Sequence, residues 1–338
     1  MRHFGAGDIV KRLFVQGWKA LKSGYRGNVQ LNEEMRQVNK TVEKWDRSDS
    51  AYLDEGFKAY WELLDEVQRH QAVMMAGGRD IIEYLASFFP EDMKTADLKG
   101  LVIGCMYGED TPAIAFAKTG AFRELLVVDI AEGLLKKQKN ITDKLGLGGL
   151  FKYKRMDLNA ESILPAEYYD FILAIGTIHH ITRLEGLCSE INDALLEHGV
   201  FCMKEYVGPS YLQFTEKQIQ LCNEILSCLP DHLKRQRNGG IKMETFRPAK
   251  NDVIADDPSE AVRSEDILGI VQRSLNVLAL NWTGGTLLHP LLDGIAGNFE
   301  NGDKADHAIL RTIILFERTL IESGVIPSDY VFLVAKKT

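Results

Sequence analysis

Three groups of residues in this chain have the types and spacing that chemistry needs. The first is a glycine turn, Gly104-Cys105-Met106-Tyr107-Gly108, entered directly from the apolar run Leu101-Val102-Ile103. A strand that empties into Gly-x-x-x-Gly makes a tight turn whose backbone a ligand can approach closely. Asp129 ends the next apolar run and Asp157 the one after it. A carboxylate in the first place can accept from both hydroxyls of a ribose, and one in the second from an adenine amino group. The second group is His179-His180, just beyond the run Phe171–Ile175; imidazole is the natural base near neutral pH. Glu205-Tyr206 and His289, with Asp293 one helical turn on, make the third. Each also has a plainer use. One histidine could cap the following helix, Glu205 could brace the loop Val207-Gly208-Pro209-Ser210, and His289 could cap a helix of its own. No His/Asp/Glu set has metal-ligand spacing, so no metal is expected.

The elements that must hold these groups can be read from periodicity. Residues 1–96 read as a helical extension. Ile9, Val10, Leu13, Phe14, Trp18 and Leu21 form one amphipathic stripe. A polar helix follows over 31–45, another around 53–75 carries Tyr60 and Trp61, and Asp80–Phe89 is a short helix ended by Pro90. From Leu98 onward, short apolar runs ending at Ile103, Val128, Met156, Ile175 and Lys204 alternate with helices over Ile114–Thr119, Glu132–Leu145 and Leu184–Glu197. That alternation specifies an α/β fold with a doubly wound, mostly parallel sheet. It breaks after Tyr206. Residues 207–274 contain a helix near Glu216–Leu229, a polar stretch Lys234–Lys242 and the acidic turn Asp256-Asp257-Pro258 before the strand Val277–Leu280. A helix over Ala305–Ser323 and a last strand, Tyr330–Ala335, complete the chain.

The strand ends, taken in order, resemble those of the class I S-adenosylmethionine-dependent methyltransferases. The resemblance runs over roughly Lys99–Lys337. It rests on Leu-Val-Ile-Gly-Cys-Met-Tyr-Gly (101–108), Val-Val-Asp (127–129), Met-Asp-Leu-Asn (156–159), Tyr169–Ile181 and His198–Tyr206. It implies a Rossmann-like sheet of seven strands, with Tyr330–Lys337 as the antiparallel seventh. Residues 97–338 would be the methyltransferase domain, with inserts 207–274 and 284–323 building the substrate pocket. It further implies that Gly104, Cys105, Tyr107 and Gly108 flank the methionine part of S-adenosylmethionine. Asp129 and Ile130 would hold the ribose, Asp157 and Leu158 the adenine, with Gly176 at the end of the fourth strand. Two positions depart from the pattern. Val102 stands where an acidic residue is usual, and Met106 where glycine is common; Glu109 and Asp110 are candidate stand-ins for the missing carboxylate. Met106 also occupies the second glycine position that a nicotinamide dinucleotide site would need.

Methyl transfer from a sulfonium asks the protein mainly to align nucleophile, carbon and sulfur, and a hydroxyl nucleophile also needs a base. His179, His180, Glu205 and His289 are the candidates for that work. The expected reaction is methylation of a small molecule or saccharide, at oxygen, with S-adenosylhomocysteine as the product. A catalytically degenerate scaffold protein of the same fold is the rival reading. Tyr60-Trp61, Arg69 and Arg79 are candidates for a lid over the cofactor, or for packing and for the methionine carboxylate.

Composition narrows the partners. The 338 residues hold 40 Lys+Arg against 48 Asp+Glu, a net charge of −8, which disfavours nucleic-acid binding through bulk positive charge. Five scattered cysteines without a Cys-x-x-Cys pair suit a reducing cytoplasm rather than a disulfide framework. Residues 1–27 are the exception to the acidic balance, with Arg2, Lys11, Arg12, Lys19, Lys22 and Arg26 against Asp8. A helix there would dock on the core or on a second subunit, giving a homodimer; a peripheral membrane surface is the less favoured alternative.

Overall fold

A strand covered on both faces has to be apolar along its length. Leu98–Ile103 (β1) and Tyr169–Ile175 (β4) meet that condition almost throughout. They pair in parallel at the centre of a seven-stranded sheet. The other strands are Phe122–Asp129 (β2), Phe151–Arg155 (β3), Leu195–Tyr206 (β5), Asn276–Gly284 (β6) and Tyr330–Lys336 (β7). The order is β3-β2-β1-β4-β5-β7-β6, with β7 antiparallel to both of its neighbours. The chain leaves β1 toward β2 and leaves β4 toward β5, in opposite directions across the sheet. The carboxyl ends of β1 and β4 therefore border the crevice in which open α/β sheets bind ligands.

The computed structural model describes residues 36–45, 60–91, 97–160 and 164–338; the stripe expected over 9–21 lies outside them. Helix starts follow local chemistry. Thr111 Oγ1 accepts from Ile114 N ahead of Pro112, the first residue of helix Pro112–Lys118. Thr215 with Gln218 and Asp303 with Asp306 form capping boxes at the starts of Glu216–Cys228 and Lys304–Glu322. The inserts build an apolar core of their own. Trp61, Leu64, Cys222, Leu288, Leu292, Phe299 and Ile313 pack there, away from the sheet's central cluster. Among the described residues no helix is long and apolar enough to cross a membrane.

Three elements differ from their sequence reading. The helix expected around 53–75 is interrupted: Trp61–Leu63 is a 3₁₀ turn, Leu64 is extended, and the α-helix starts afresh at Asp65 and runs to Ala76. The helix expected over Leu184–Glu197 ends at Ala194, because Leu195 is already extended and pairs with Tyr169 at the start of β4. The polar stretch 234–242 turns back on itself and carries Lys242 inward, where it is 7% exposed. Its Nζ donates to the carbonyls of Pro290, Leu291 and Asp293 at 3.0, 3.2 and 2.8 Å. A cation is thereby placed on the carboxyl end of the helix that carries His289.

Candidate active site

The glycine turn after β1 is held from three sides. Gly104 has φ +89°, and a Cβ built on it would lie 1.8 Å from Thr177 Oγ1 at the end of β4. Only glycine lets the two strand ends meet so closely. Asp129 ties β2 to the same turn, its carboxylate accepting from Cys105 N and Ala131 N, both at 2.8 Å. Gln138, buried on helix Glu132–Lys144, grips Gly108 with both ends of its amide. Oε1 accepts from Gly108 N at 2.9 Å and Nε2 donates to Gly108 O at 3.0 Å. Gly108 and Gly176 have positive φ with nothing within 4 Å of a would-be Cβ. Ligand backbone could approach at either point.

The expected cofactor residues lie along the carboxyl ends of β1 to β4. Ile130 is half-buried beside Asp129. Asp157 accepts from Asn159 N at 2.9 Å, and Leu158 is buried in the central core. Cys105 is buried, and burial followed by the charge of Asp129 pushes its thiol up. Met106 and Tyr107 are exposed at the tip of the turn, as are Glu109 and Asp110. Val102 packs inward with Ile114 and Val127. The residues present fit an adenosyl ligand: three strand ends offer two close-approach glycines and a carboxylate between them.

Beyond β4 a 3₁₀ turn, Ile178–His180, presents the two histidines. Glu205, near the end of β5 and fully buried, braces this turn. Its Oε2 accepts from Thr177 N at 2.9 Å and Ile178 N at 2.7 Å. Its Oε1 accepts from His179 Nδ1 at 2.5 Å and Tyr206 N at 2.9 Å. On the ring's other side, His179 Nε2 lies 3.7 Å from Glu260. Burial works against a charge on His179, but the charge and hydrogen bond of Glu205, with Glu260 and Asp257 behind, raise its pKa to about 9. Burial likewise raises Glu205, and the His179 charge and its hydrogen bonds outweigh that, leaving it below the usual carboxylate range. At neutral pH His179 is an imidazolium between two carboxylates.

His180 has the opposite state. Burial and then the neighbouring His179 charge lower its pKa to about 4, so it is neutral. Its Nδ1 lies 3.0 Å from Ser259 Oγ, and Trp45 meets the ring edge-on at 5.3 Å between centroids. Asn159 anchors the turn behind it, donating to His180 O at 3.2 Å and accepting from Thr182 N at 2.7 Å. One atom from each of His179, His180 and Glu260 lies within 4.8 Å of the others, a grouping of metal-ligand types.

His289 sits one ring away from this pair. Tyr206 lies 6.4 Å from His179 and 6.0 Å from His289, centroid to centroid. Trp61, Tyr60, Phe214 and Tyr330 surround His289 at 5.6 to 6.2 Å, and its Nδ1 is 3.3 Å from the Tyr330 hydroxyl. Burial lowers its pKa. Tyr60 and Trp61 belong to this aromatic packing, Tyr60 sharing a 3.1 Å hydroxyl contact with Tyr330. Arg69 pairs with Glu66 at the surface, and Arg79 lies over the Tyr84 ring at 4.4 Å. Gln138, Trp45, Ser259 and Glu260 escaped the sequence reading. The nearest signal was the acidic turn Asp256-Asp257-Pro258, which ends one residue short of Ser259.

With this geometry in view, comparison with known proteins is informative on one stretch. The methyltransferase domain family matches residues 101–203, under half of the chain. This protein carries a methyltransferase domain. Its sheet has the seven strands and the antiparallel seventh that the strand-end resemblance implied. A search of curated proteins finds no sequence match. Similar solved structures include phosphoethanolamine N-methyltransferase 2 of Haemonchus contortus in complex with S-adenosyl-L-methionine, at 16% identity and TM-score 0.48, covering 88% of this chain and 60% of that one. Geranyl diphosphate C-methyltransferase of Streptomyces coelicolor A3(2), crystallised with Mg2+, geranyl-S-thiolodiphosphate and S-adenosyl-L-homocysteine, matches at 15% identity and TM-score 0.41, over 76% of each chain. The [4+2]-cyclase SpnF matches at 13% identity and TM-score 0.43, over 76% of this chain and 79% of that one.

Proposed function

We propose that this methyltransferase domain methylates a hydroxyl oxygen of a small molecule, sugars included. S-Adenosylmethionine, when bound, supplies an electrophilic methyl group on sulfur. Gly104–Gly108, Asp129–Ile130, Asp157–Leu158 and Gly176 would hold it. The acceptor side belongs to the turn 177–180 and to the inserts, which bring Ser259 and Glu260 against the two histidines.

The observation that supports oxygen as the acceptor is the split between adjacent imidazoles. A pair of titratable groups pushed apart by their surroundings marks an acid and a base. His180, neutral, is the group able to take the proton a hydroxyl loses as its oxygen–methyl bond forms. His179, charged and fixed by Glu205, holds the turn and stabilises negative charge developing nearby. Glu205 has four protein donors on its two oxygens and acts through His179.

Two measurements test the reading. Calorimetric titration with S-adenosylhomocysteine should give binding that Asp129→Ala weakens at least tenfold; no binding by wild type at millimolar ligand overturns it. A panel of hydroxylated and amine compounds, assayed by release of S-adenosylhomocysteine, should then yield acceptors among the hydroxyls. Turnover confined to amines would remove the oxygen assignment.

A further inference from the structure

We propose that Asp257 is a positioning residue that fixes the protonation pattern of His180 through Ser259 and ties it to the docking of helix 36–45. The inference rests on the methyl-transfer reading above, because it concerns the state in which the base is presented.

Asp257 is fully buried at the end of the insert helix Lys250–Asp256. Four donors converge on its carboxylate. Ser259 N and Ser259 Oγ donate to Oδ1 at 2.9 and 2.7 Å, Thr41 Oγ1 to the same oxygen at 3.3 Å, and Trp45 Nε1 to Oδ2 at 3.1 Å. A backbone N–H and an indole N–H can only donate, so the carboxylate is an acceptor throughout. The single proton of the Ser259 hydroxyl is then spent on Asp257. Toward His180 Nδ1, 3.0 Å away, the same hydroxyl can only accept. His180 must therefore carry its proton on Nδ1 and leave the Nε2 lone pair free. Nε2 is the nitrogen that can take a proton from an acceptor hydroxyl.

The same carboxylate is also where helix 36–45 docks. Trp45 and Thr41 bind it, Lys44 pairs with neighbouring Asp256 at 2.5 Å, and the Trp45 ring abuts His180. Separation of this helix from the insert would remove two of four donors from Asp257 and uncover the imidazole. Docking of the N-terminal region and the readiness of His180 thus share one group.

Long-range ¹⁵N–¹H correlation spectra of the full chain, labelled at histidine and assigned with His180→Gln, report which ring nitrogen holds the proton. Wild type should show Nδ1–H. Ser259→Ala should shift the population toward Nε2–H, and Ser259→Thr should restore the wild-type pattern. Asp257→Asn should mix the tautomers and raise amide exchange in residues 36–45 at least tenfold. Trp45→Phe should raise that exchange while leaving the tautomer as it was. Retention of Nδ1–H in Ser259→Ala, or wild-type exchange of 36–45 in Asp257→Asn, overturns the proposal. Titration with S-adenosylhomocysteine separates the two failures. A wild type that does not bind it sinks the methyl-transfer reading and leaves the tautomer result standing, whereas binding with an unmoved tautomer sinks the relay alone.

Discussion

Replacing Glu205 by glutamine should lower the His179 pKa from about 9 and reduce stability most at the pH values where His179 is charged in the wild type. The amide carbonyl can still accept from Thr177 N and Ile178 N, but the amide nitrogen then faces the Tyr206 N–H and leaves it without its acceptor, a cost that does not vary with pH. The pH-dependent loss is that of the negative charge 2.5 Å from His179 Nδ1. His179 titrates at about 9 in the folded protein against an ordinary 6.5, a difference worth about 3 kcal/mol at roughly 1.4 kcal/mol per tenfold. A histidine raised on folding stabilises fully below the unfolded value and loses that contribution as pH rises through the folded one. The contribution is therefore whole below pH 6.5, still about 2–3 kcal/mol at pH 7, and gone above about 9. Glu205 itself is lowered on folding, so its own titration falls at acid pH, outside this window. Urea denaturation of wild type and Glu205→Gln at pH 6.5, 8 and 10, with NMR titration of His179, measures the effect. The destabilisation should shrink by a few kcal/mol between pH 6.5 and 10. An equal loss at both ends, or a His179 that still titrates near 9 in the variant, would refute the assignment of Glu205 as its counter-ion.

Other consequences can be checked as directly. Asp329 is buried beside Gln218, and burial, aided by Glu317, raises its pKa to about 7. A carboxyl raised on folding costs stability as pH climbs from its unfolded value to its folded one, so Asp329→Asn should gain about 2–3 kcal/mol on wild type between pH 5 and 8, read by chemical denaturation. Gln138→Leu removes both hydrogen bonds that grip Gly108 and should cost about 1–3 kcal/mol. It should also weaken S-adenosylhomocysteine binding about tenfold by calorimetry, the tenfold corresponding to about 1.4 kcal/mol. Gly104→Ala puts a Cβ 1.8 Å from Thr177 Oγ1 at a positive φ and should lower the melting temperature by several degrees, as a loss of roughly 1–3 kcal/mol implies.

The parts of this fold that were legible in sequence are those made of contiguous residues. β1, β2 and β4 contain unbroken apolar runs at their carboxyl ends, Leu101–Ile103, Leu125–Val128 and Phe171–Ile175, so Gly104, Asp129 and Gly176 could be placed by counting along each strand. β7 was legible because Tyr330–Ala335 is apolar throughout, while its antiparallel direction followed only from the family resemblance. The inserts were legible only in part: the helices Glu216–Cys228 and Lys304–Glu322 follow from periodicity, but most insert hydrophobic faces cover each other, and only the helix Ser264–Ser274 packs on the sheet's cluster. The stretch 234–242, polar on inspection, buries Lys242 only because three carbonyls at a helix end are there to receive it. Leu64, extended between two helical turns, breaks no propensity rule; Trp61 on one side and Val67 on the other are both drawn into the insert core.

The pair His179-His180 shows why the candidate site was harder to read than the strands that carry it. Two identical side chains, adjacent in sequence and with ring centroids 4.1 Å apart, hold opposite protonation states. Nothing local distinguishes them. Glu205 reaches one from β5, and Glu260 stands on its far side. The other receives only Ser259, whose hydroxyl is already committed to Asp257. Burial first, and then the imidazolium beside it, press His180 toward neutrality, so the Glu205 carboxylate that charges His179 bears on both rings. Loss of the Glu205 charge should lower the His179 pKa without raising that of His180, because Glu205 also raises His180 directly. That joint response, followed ring by ring in the same NMR titration, distinguishes a coupled pair from two histidines perturbed independently by burial.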